Sequence, residues 1–331
     1  MKRILLLLSL LALAACHRIP MYEASSGVFL RLDLKTELDA EFSENIDFAA
    51  HPELLAKVTG TAPEMVRACF YDADSHELVA EDFLPPEGGF IHIPTGMYDV
   101  LVYSLGTEAT QVEGTKTRAG AYAFTSPTGA RVKVQTKAGG GEDSEVEQAV
   151  IWEPDPLYAG RIAGAVIPVY PEGEEESVVL ESVLKRSVET WSLEIREVEG
   201  AERIAAAEAY VTGQAAGRYL WDGRTTNHPA SLVCPLVVNP AKGQLWTVFN
   251  TFGKFPEAES DVVVDLLVTT TGGARCSYIF DVTDQWKNPD NTAHRIVIDV
   301  LVEIPDENYS GGGFDPIVED WDGEEIDIIV G

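Results

Sequence analysis

Basic residues are scarce in this chain: 24 Lys and Arg stand against 54 Asp and Glu, a net charge of −30 over 331 residues. So acidic a surface repels phosphate backbones and anionic headgroups, which argues against nucleic acid or a polybasic membrane contact. Cysteine is equally sparse, at Cys16, Cys69, Cys234 and Cys276. No Cys-x-x-Cys pair occurs, so a zinc or thioredoxin-like site has no support. The six histidines, at 17, 51, 76, 92, 228 and 294, include no His-Glu-x-x-His and no pair four residues apart. A Gly-x-Ser-x-Gly elbow, a phosphate loop and a dinucleotide fingerprint are also missing. No residue therefore takes a catalytic role, and neither a metal nor a cofactor is expected. Helical periodicity is weak, its best stretches being Glu44 to Val58 and Val178 to Ser187.

What the chain does have begins at residue 1. Lys2 and Arg3 open the sequence, Ile4 to Leu13 form an apolar run, and Leu13-Ala14-Ala15 leads into Cys16. The run is about half of the ~20 residues that cross a bilayer as a helix, so residues 1–15 read as a secretion signal. A cysteine directly after Leu-Ala-Ala resembles the lipobox of bacterial lipoproteins. That resemblance implies diacylglycerol on the Cys16 thiol, cleavage before Cys16, and a further acyl group such as palmitate on the new amine. Several chains on one residue hold a protein to a membrane far better than one chain does. Loss of Lys2 and Arg3 moves the net charge from −30 to −32. The acid count then belongs to a folded, exported chain, since 45% of the residues are hydrophobic.

After a tether over residues 16–26, period-two patterning dominates. Strands are expected at Val28–Leu34, Met65–Tyr71, Leu78–Leu84, Gly89–Ile93 and Met97–Tyr103 in the first half. The second half offers Trp191–Val198, Ala207–Val211, Ser231–Val238, Leu245–Phe249, Val262–Val268, Cys276–Val282 and Arg295–Val302. Short strands at these intervals, separated by Asp, Gly and Pro, specify an all-β fold of two antiparallel sandwiches. Gly139-Gly-Gly-Glu-Asp to Trp152-Glu-Pro-Asp-Pro reads as a linker, giving domains at residues 27–150 and 151–310. Past a glycine hinge at Gly311, Gly312 and Gly313, residues 311–331 hold one more strand. Ile326, Ile328 and Val330 share a face of it at i, i+2 and i+4. That strand either closes its own sheet or is donated to a partner's.

Smaller features leave alternatives open. Cys69 reads as a buried thiol, while Cys234 and Cys276 form a disulfide only if their strands bring the Cα atoms within ~7 Å. Asp72-Ala-Asp-Ser-His-Glu77 has the charge of a metal loop but reads as an acidic β-turn, and Asp320-Trp-Asp-Gly-Glu324 is an incomplete calcium loop. Trp221 and Trp286 sit in loop-like sequence, where an indole either packs or stacks on a sugar ring. Trp246 reads as core.

Taken in order, these parts resemble the fimbrillin-like lipoproteins of type V pili. The resemblance rests on the lipobox, a sandwich carrying Ile93-Pro-Thr-Gly-Met-Tyr-Asp-Val-Leu-Val-Tyr-Ser, and a second one with Leu157-Tyr-Ala-Gly and a Gly213-rich strand pair. It closes on Gly311-Gly-Gly-Phe-Asp-Pro-Ile-Val-Glu-Asp-Trp. It implies tandem transthyretin-like Greek-key sandwiches, assembly with other fimbrial subunits by strand exchange, and a subunit, anchor or adhesin without catalysis. In stalk subunits of that family, cleavage after a basic residue removes a strand and opens a groove for a neighbour's C-terminal strand. The candidate arginines here are Arg18, Arg31 and Arg67, none in an obvious exposed cleavage loop. That departure favours an accessory or anchor subunit that keeps its lipid, in the outer membrane and at the cell surface or fimbrium, with the periplasmic face as the other placement. The alternative function is a lipid-anchored protein that captures surface glycans or proteins.

Overall fold

The computed structural model describes residues 25–34, 42, 46–60, 62–136, 144–169, 178–256 and 261–305. Every strand expected between residues 28 and 302 is present, the strand expected in residues 311–331 lies outside the described residues, and the molecule is built of two β-sandwiches. The first uses β1 (Ser25–Leu34), β2 (Met65–Asp72), β3 (Leu78–Leu84), β4 (Gly88–Pro94), β5 (Gly96–Leu105), β10 (Tyr158–Ile167) and β11 (Val178–Arg186) in the order β3-β2-β5-β10-β11-β1-β4. Strands β10 and β11 are joined only at Tyr158↔Arg186 and Ala159↔Lys185, so the sheet folds over into two layers. One layer contributes Val28, Leu30, Leu32, Ile91, Ile93 and Leu184 to the core; the other contributes Val66, Ala68, Phe70, Val100, Val102, Tyr158 and Ile167.

The second sandwich packs a four-stranded sheet on a six-stranded one. The smaller sheet runs β16 (Val237–Asn239), β17 (Gln244–Thr251), β12 (Glu189–Glu199) and β20 (Arg295–Glu303). The larger runs β19 (Arg275–Asp281), β18 (Val263–Thr270), β13 (Ile204–Ala215), β15 (Pro229–Pro235), β9 (Ser144–Ile151) and β8 (Pro127–Thr136). Trp191, Leu193 and Ile195 of β12 meet Ala209, Val211, Leu232 and Leu266 between them. The pairing is not wholly antiparallel: β1 with β11, β12 with β20, and β15 with β9 run parallel. Each of these pairs joins strands distant in sequence, which a tight hairpin cannot connect.

Two expectations need correction. The chain does not divide at residue 150. Strands β8 and β9 precede that point but belong to the second sandwich, whereas β10 and β11 follow it and complete the first. Glycine and proline marked an irregular segment correctly; composition carries no information on which sheet the next strand joins. The stretch Val178 to Ser187 is strand β11 rather than helix, and helix α1 covers only Pro52–Thr59 of the stretch that began at Glu44. In β11 the burial alternates with period two, inward at Ser182 and Leu184 and outward at Glu181 and Val183.

The outward faces of both sandwiches are used to join them. Cys69, Tyr71, Leu101 and Tyr103, on the far side of β2 and β5, pack on Ala121, Ala123, Leu220 and Phe252. Ala123 belongs to a small sheet of β6 (Thr110–Glu113), β7 (Tyr122–Thr125) and β14 (Gly217–Tyr219) that lies over this side. The segment between β1 and β2 crosses to the second sandwich, where Ile46, Phe48 and Leu54 of the turn and α1 cover Trp246 of β17. Leu54→Ala removes part of that cover; it should lower unfolding free energy by about 2–4 kcal/mol. Denaturant titration would measure this, with greater acrylamide quenching of tryptophan in the native variant.

Candidate assembly and anchoring surfaces

The element best placed for strand exchange is β1. It opens at Ser25 and lies between β4, antiparallel to it, and β11, parallel to it. Val28, Leu30 and Leu32 point into the core and are all but fully buried, while Phe29, Arg31 and Asp33 point outward. Its partners are contributed from elsewhere in the chain, so removing β1 would leave a strand-wide slot between β4 and β11. Gly88 is what lets β4 approach closely: its φ is +98°, and a Cβ there would lie 1.9 Å from the Leu30 carbonyl oxygen. A side chain at that position collides with backbone that cannot yield.

Arg31 lies within β1 and pairs with Glu181 at 2.8 Å across the parallel ladder. Arg67 lies within β2, ion-paired to Glu81 and donating to the Tyr103 hydroxyl. Both are held in strand interiors, where a protease that binds an extended loop finds no free backbone. Cys16, Arg18, Gly311 to Gly313, Ile326, Ile328, Val330 and the acidic stretch 320–324 lie outside the described residues.

The disulfide between Cys234 and Cys276 does not form. Cys234 is on β15 and Cys276 on β19, with β13 and β18 between them, and both thiols are free. Adjacent strands lie about 4.8 Å apart, so three strand spacings exceed what a disulfide spans. Burial raises the thiol pKa of all three cysteines in the described residues, to about 11 for Cys69. None is a poised thiolate.

The two tryptophans chosen as sugar platforms are packing residues. Trp286 is 1% exposed and sits in helix α2 (Thr283–Lys287), its ring 4.2 Å from that of Trp191. The loop-like Trp286-Lys-Asn-Pro-Asp hid a single helical turn over the core. Trp221 is half-buried in the cluster joining the sandwiches, with the Arg118 guanidinium 4.6 Å from its ring centre. Among the described residues, the most exposed aromatic rings are instead those of Phe29, Phe83, Phe90 and Trp152. Outward positions of alternating strands carry the three phenylalanines, a signal the sequence contained. Asp72 to Glu77 is the acidic turn expected: Asp72 Oδ1 accepts hydrogen bonds from the backbone N–H groups of Asp74 and Ser75.

Sequence reading also missed the residues that make the supposed linker rigid. Glu153 Oε2 pairs with Lys57 Nζ at 2.6 Å, and the Asn250 N–H donates to Glu153 Oε1 at 2.8 Å. Burial pushes the Glu153 carboxyl above the usual range, with Lys57 pulling it back. Arg186 of β11 donates to the last carbonyls of α1, Lys57 at 2.9 Å and Val58 at 3.1 Å. Two residues on, Asp155 Oδ2 accepts from the N–H groups of Ala109 and Thr110.

Two measurements check this geometry. A thiol reagent should modify Cys276 in the native protein and reach Cys69 and Cys234 only on unfolding, with no mass change on reduction. Gly88→Ala, which forces β4 from β1, should lower stability by about 2 kcal/mol or more; proteolysis should then cut first between β1 and α1.

With the fold in view, its relatives can be compared. A protein of Bacteroides ovatus named as fimbrium anchoring subunit Fim4B is 25% identical over 319 residues, spanning 94% of this chain and 82% of its own. A crystal structure of a protein from the same species, described as an adhesin, superposes with a TM-score of 0.58 at 20% identity. That match covers 85% of this chain and 92% of the other, and it shows a shared fold. Residues 55–234 match a family model, from within α1 to the end of β15 across the strands that pass between the sandwiches. The chain belongs to the family described as Domain of unknown function (DUF5119).

Proposed function

We propose that this protein is a non-enzymatic fimbrial subunit of the anchoring kind, held to the outer membrane through acyl chains on Cys16 and joined to other subunits by strand exchange. The observation that carries this reading is the alignment with the fimbrium anchoring subunit. It runs through nearly all of both chains, so the order of parts is shared and not one module alone. Two features of the chain support it. The lipobox at Cys16 supplies the attachment, and β1 opens only nine residues later. The sequence after β20 carries three consecutive glycines at 311–313 and then Ile326, Ile328 and Val330 at the spacing with which β1 fills its slot with Val28, Leu30 and Leu32.

The physics of exchange follows from that spacing. A donated strand gains main-chain hydrogen bonds along its length and fills pockets with alternate side chains. Of the three candidate arginines, Arg31 and Arg67 are held in strands, which suits a subunit that keeps its first strand and so ends a fibre at its base. Its C-terminal strand is then the free element, and it enters the slot of a neighbour whose first strand has been removed.

Mutation and truncation separate the two parts. Cys16→Ser should release the protein from membranes, with loss of palmitate labelling. Deletion of residues 311–331 should leave a folded, membrane-bound protein that no longer recruits fimbrial subunits, and a peptide of those residues should compete with the full chain. If the deletion instead unfolds the protein, the strand closes its own sheet and the exchange reading falls.

A further inference from the structure

Two outward sheet faces described above are covered, that of β2 and β5 by the small sheet and that of β17 by α1. The outer face of β4-β1-β11 is different. Register places Phe90, Phe29 and Val179 in one row across its three strands, and Val183 stands opposite Asp33 farther along. These four apolar side chains are 38–50% exposed. Among the described residues the face is also charge-balanced, in a chain of net charge −30. Arg31 and Lys185 offset Glu181 and Asp33, all pointing outward, and Arg31 is paired with Glu181.

We propose that this face rests on the headgroup–acyl boundary of the phospholipid bilayer that holds Cys16, fixing the orientation of the first sandwich on the membrane. The inference rests on the anchoring of Cys16 proposed above. Three observations select a bilayer as the occupant. The first is reach: Ser25 opens β1 nine residues after Cys16, and an extended chain of that length spans only about 30 Å. Phe29 is four residues further, with Phe90 and Val179 as its cross-strand neighbours, so the short tether delivers this row to the membrane. The second is charge: a face whose described strands carry no net charge meets a zwitterionic surface with less repulsion than the acidic remainder of the molecule would encounter. The third is size. A row of three side chains is far smaller than the ~800 Å² per partner of a stable protein interface. A second copy would also bring another strongly acidic body against it. For a protein already tethered, effective concentration makes a small apolar contact sufficient.

A depth-sensitive label tests the proposal on the acylated chain in phosphatidylcholine vesicles. Phe29→Cys is labelled with an environment-sensitive fluorophore in a Cys276→Ser background, since Cys69 and Cys234 are buried. Val300→Cys, exposed on β20 of the second sandwich, carries the same label as the comparison. The expected result is a blue-shifted emission at position 29, quenched by lipid bearing a shallow nitroxide, and an aqueous spectrum at position 300. Phe90→Ser with Val179→Ser should abolish the shift while the protein still floats with the vesicles. An aqueous spectrum at position 29 in protein that floats would overturn the inference and leave the anchoring intact. Failure of the acylated chain to float would overturn both. A blue shift already present in vesicle-free Cys16→Ser protein would overturn it in favour of a second copy, whose formation sedimentation would register.

Discussion

The half-buried ion pair between Lys57 and Glu153 fastens the place where the chain passes between the two sandwiches. Neither group belongs to a sheet core. Lys57 is on a helix that leaves the first sandwich, and Glu153 is on the segment by which the chain returns to it from the second. Taking both charges out of water is costly, and the pair is sustained because the remaining positions are satisfied. Glu153 accepts from the Asn250 backbone, Lys57 donates to the Val248 carbonyl, and Arg186 caps the helix end beside them. Removing one partner would strand the other charge at the junction, so the pair specifies one arrangement of the bodies more than it adds stability.

The path of the chain explains why that junction matters. Two strands of the second sandwich are laid down before the first is complete, and two strands of the first come after them. The bodies are therefore not beads on a string. Each crossing is fastened: Asp155 holds the loop before β6, Tyr71 and Tyr103 pack beneath the small sheet, and Trp246 is sealed by α1. A family model whose match runs from α1 to β15 spans these crossings, as expected if the unit of inheritance is the interlocked whole.

Period two made the strands legible, because a half-buried strand must alternate, and β1, β2, β5, β12 and β17 could be placed within a few residues. The acidic turn at Asp72 was equally plain, since it is local. What escaped was whatever depended on non-local pairing. Cys234 and Cys276 each lie in a strand as expected, yet strand order keeps them apart, and order is set by contacts the local pattern does not encode. Trp286 looked like a loop residue because a single helical turn has no periodicity to detect. The Trp152-Glu-Pro-Asp-Pro segment had a linker's composition, but both of its carboxylates accept hydrogen bonds from distant parts of the chain, and prolines that break a strand also stiffen the backbone that carries them.

The position of β1 has a mechanical consequence. Any pull delivered through the residues before Ser25 acts along the strand's own axis. Its hydrogen bonds to β4 and β11 lie across that axis on both sides, so the load falls on the two ladders together and they cannot open one bond at a time. The strand thus works as a lap joint loaded in shear. Tension entering at Ser25 is spread over Val28, Leu30 and Leu32 and their neighbours before it reaches the junction at Lys57 and Glu153.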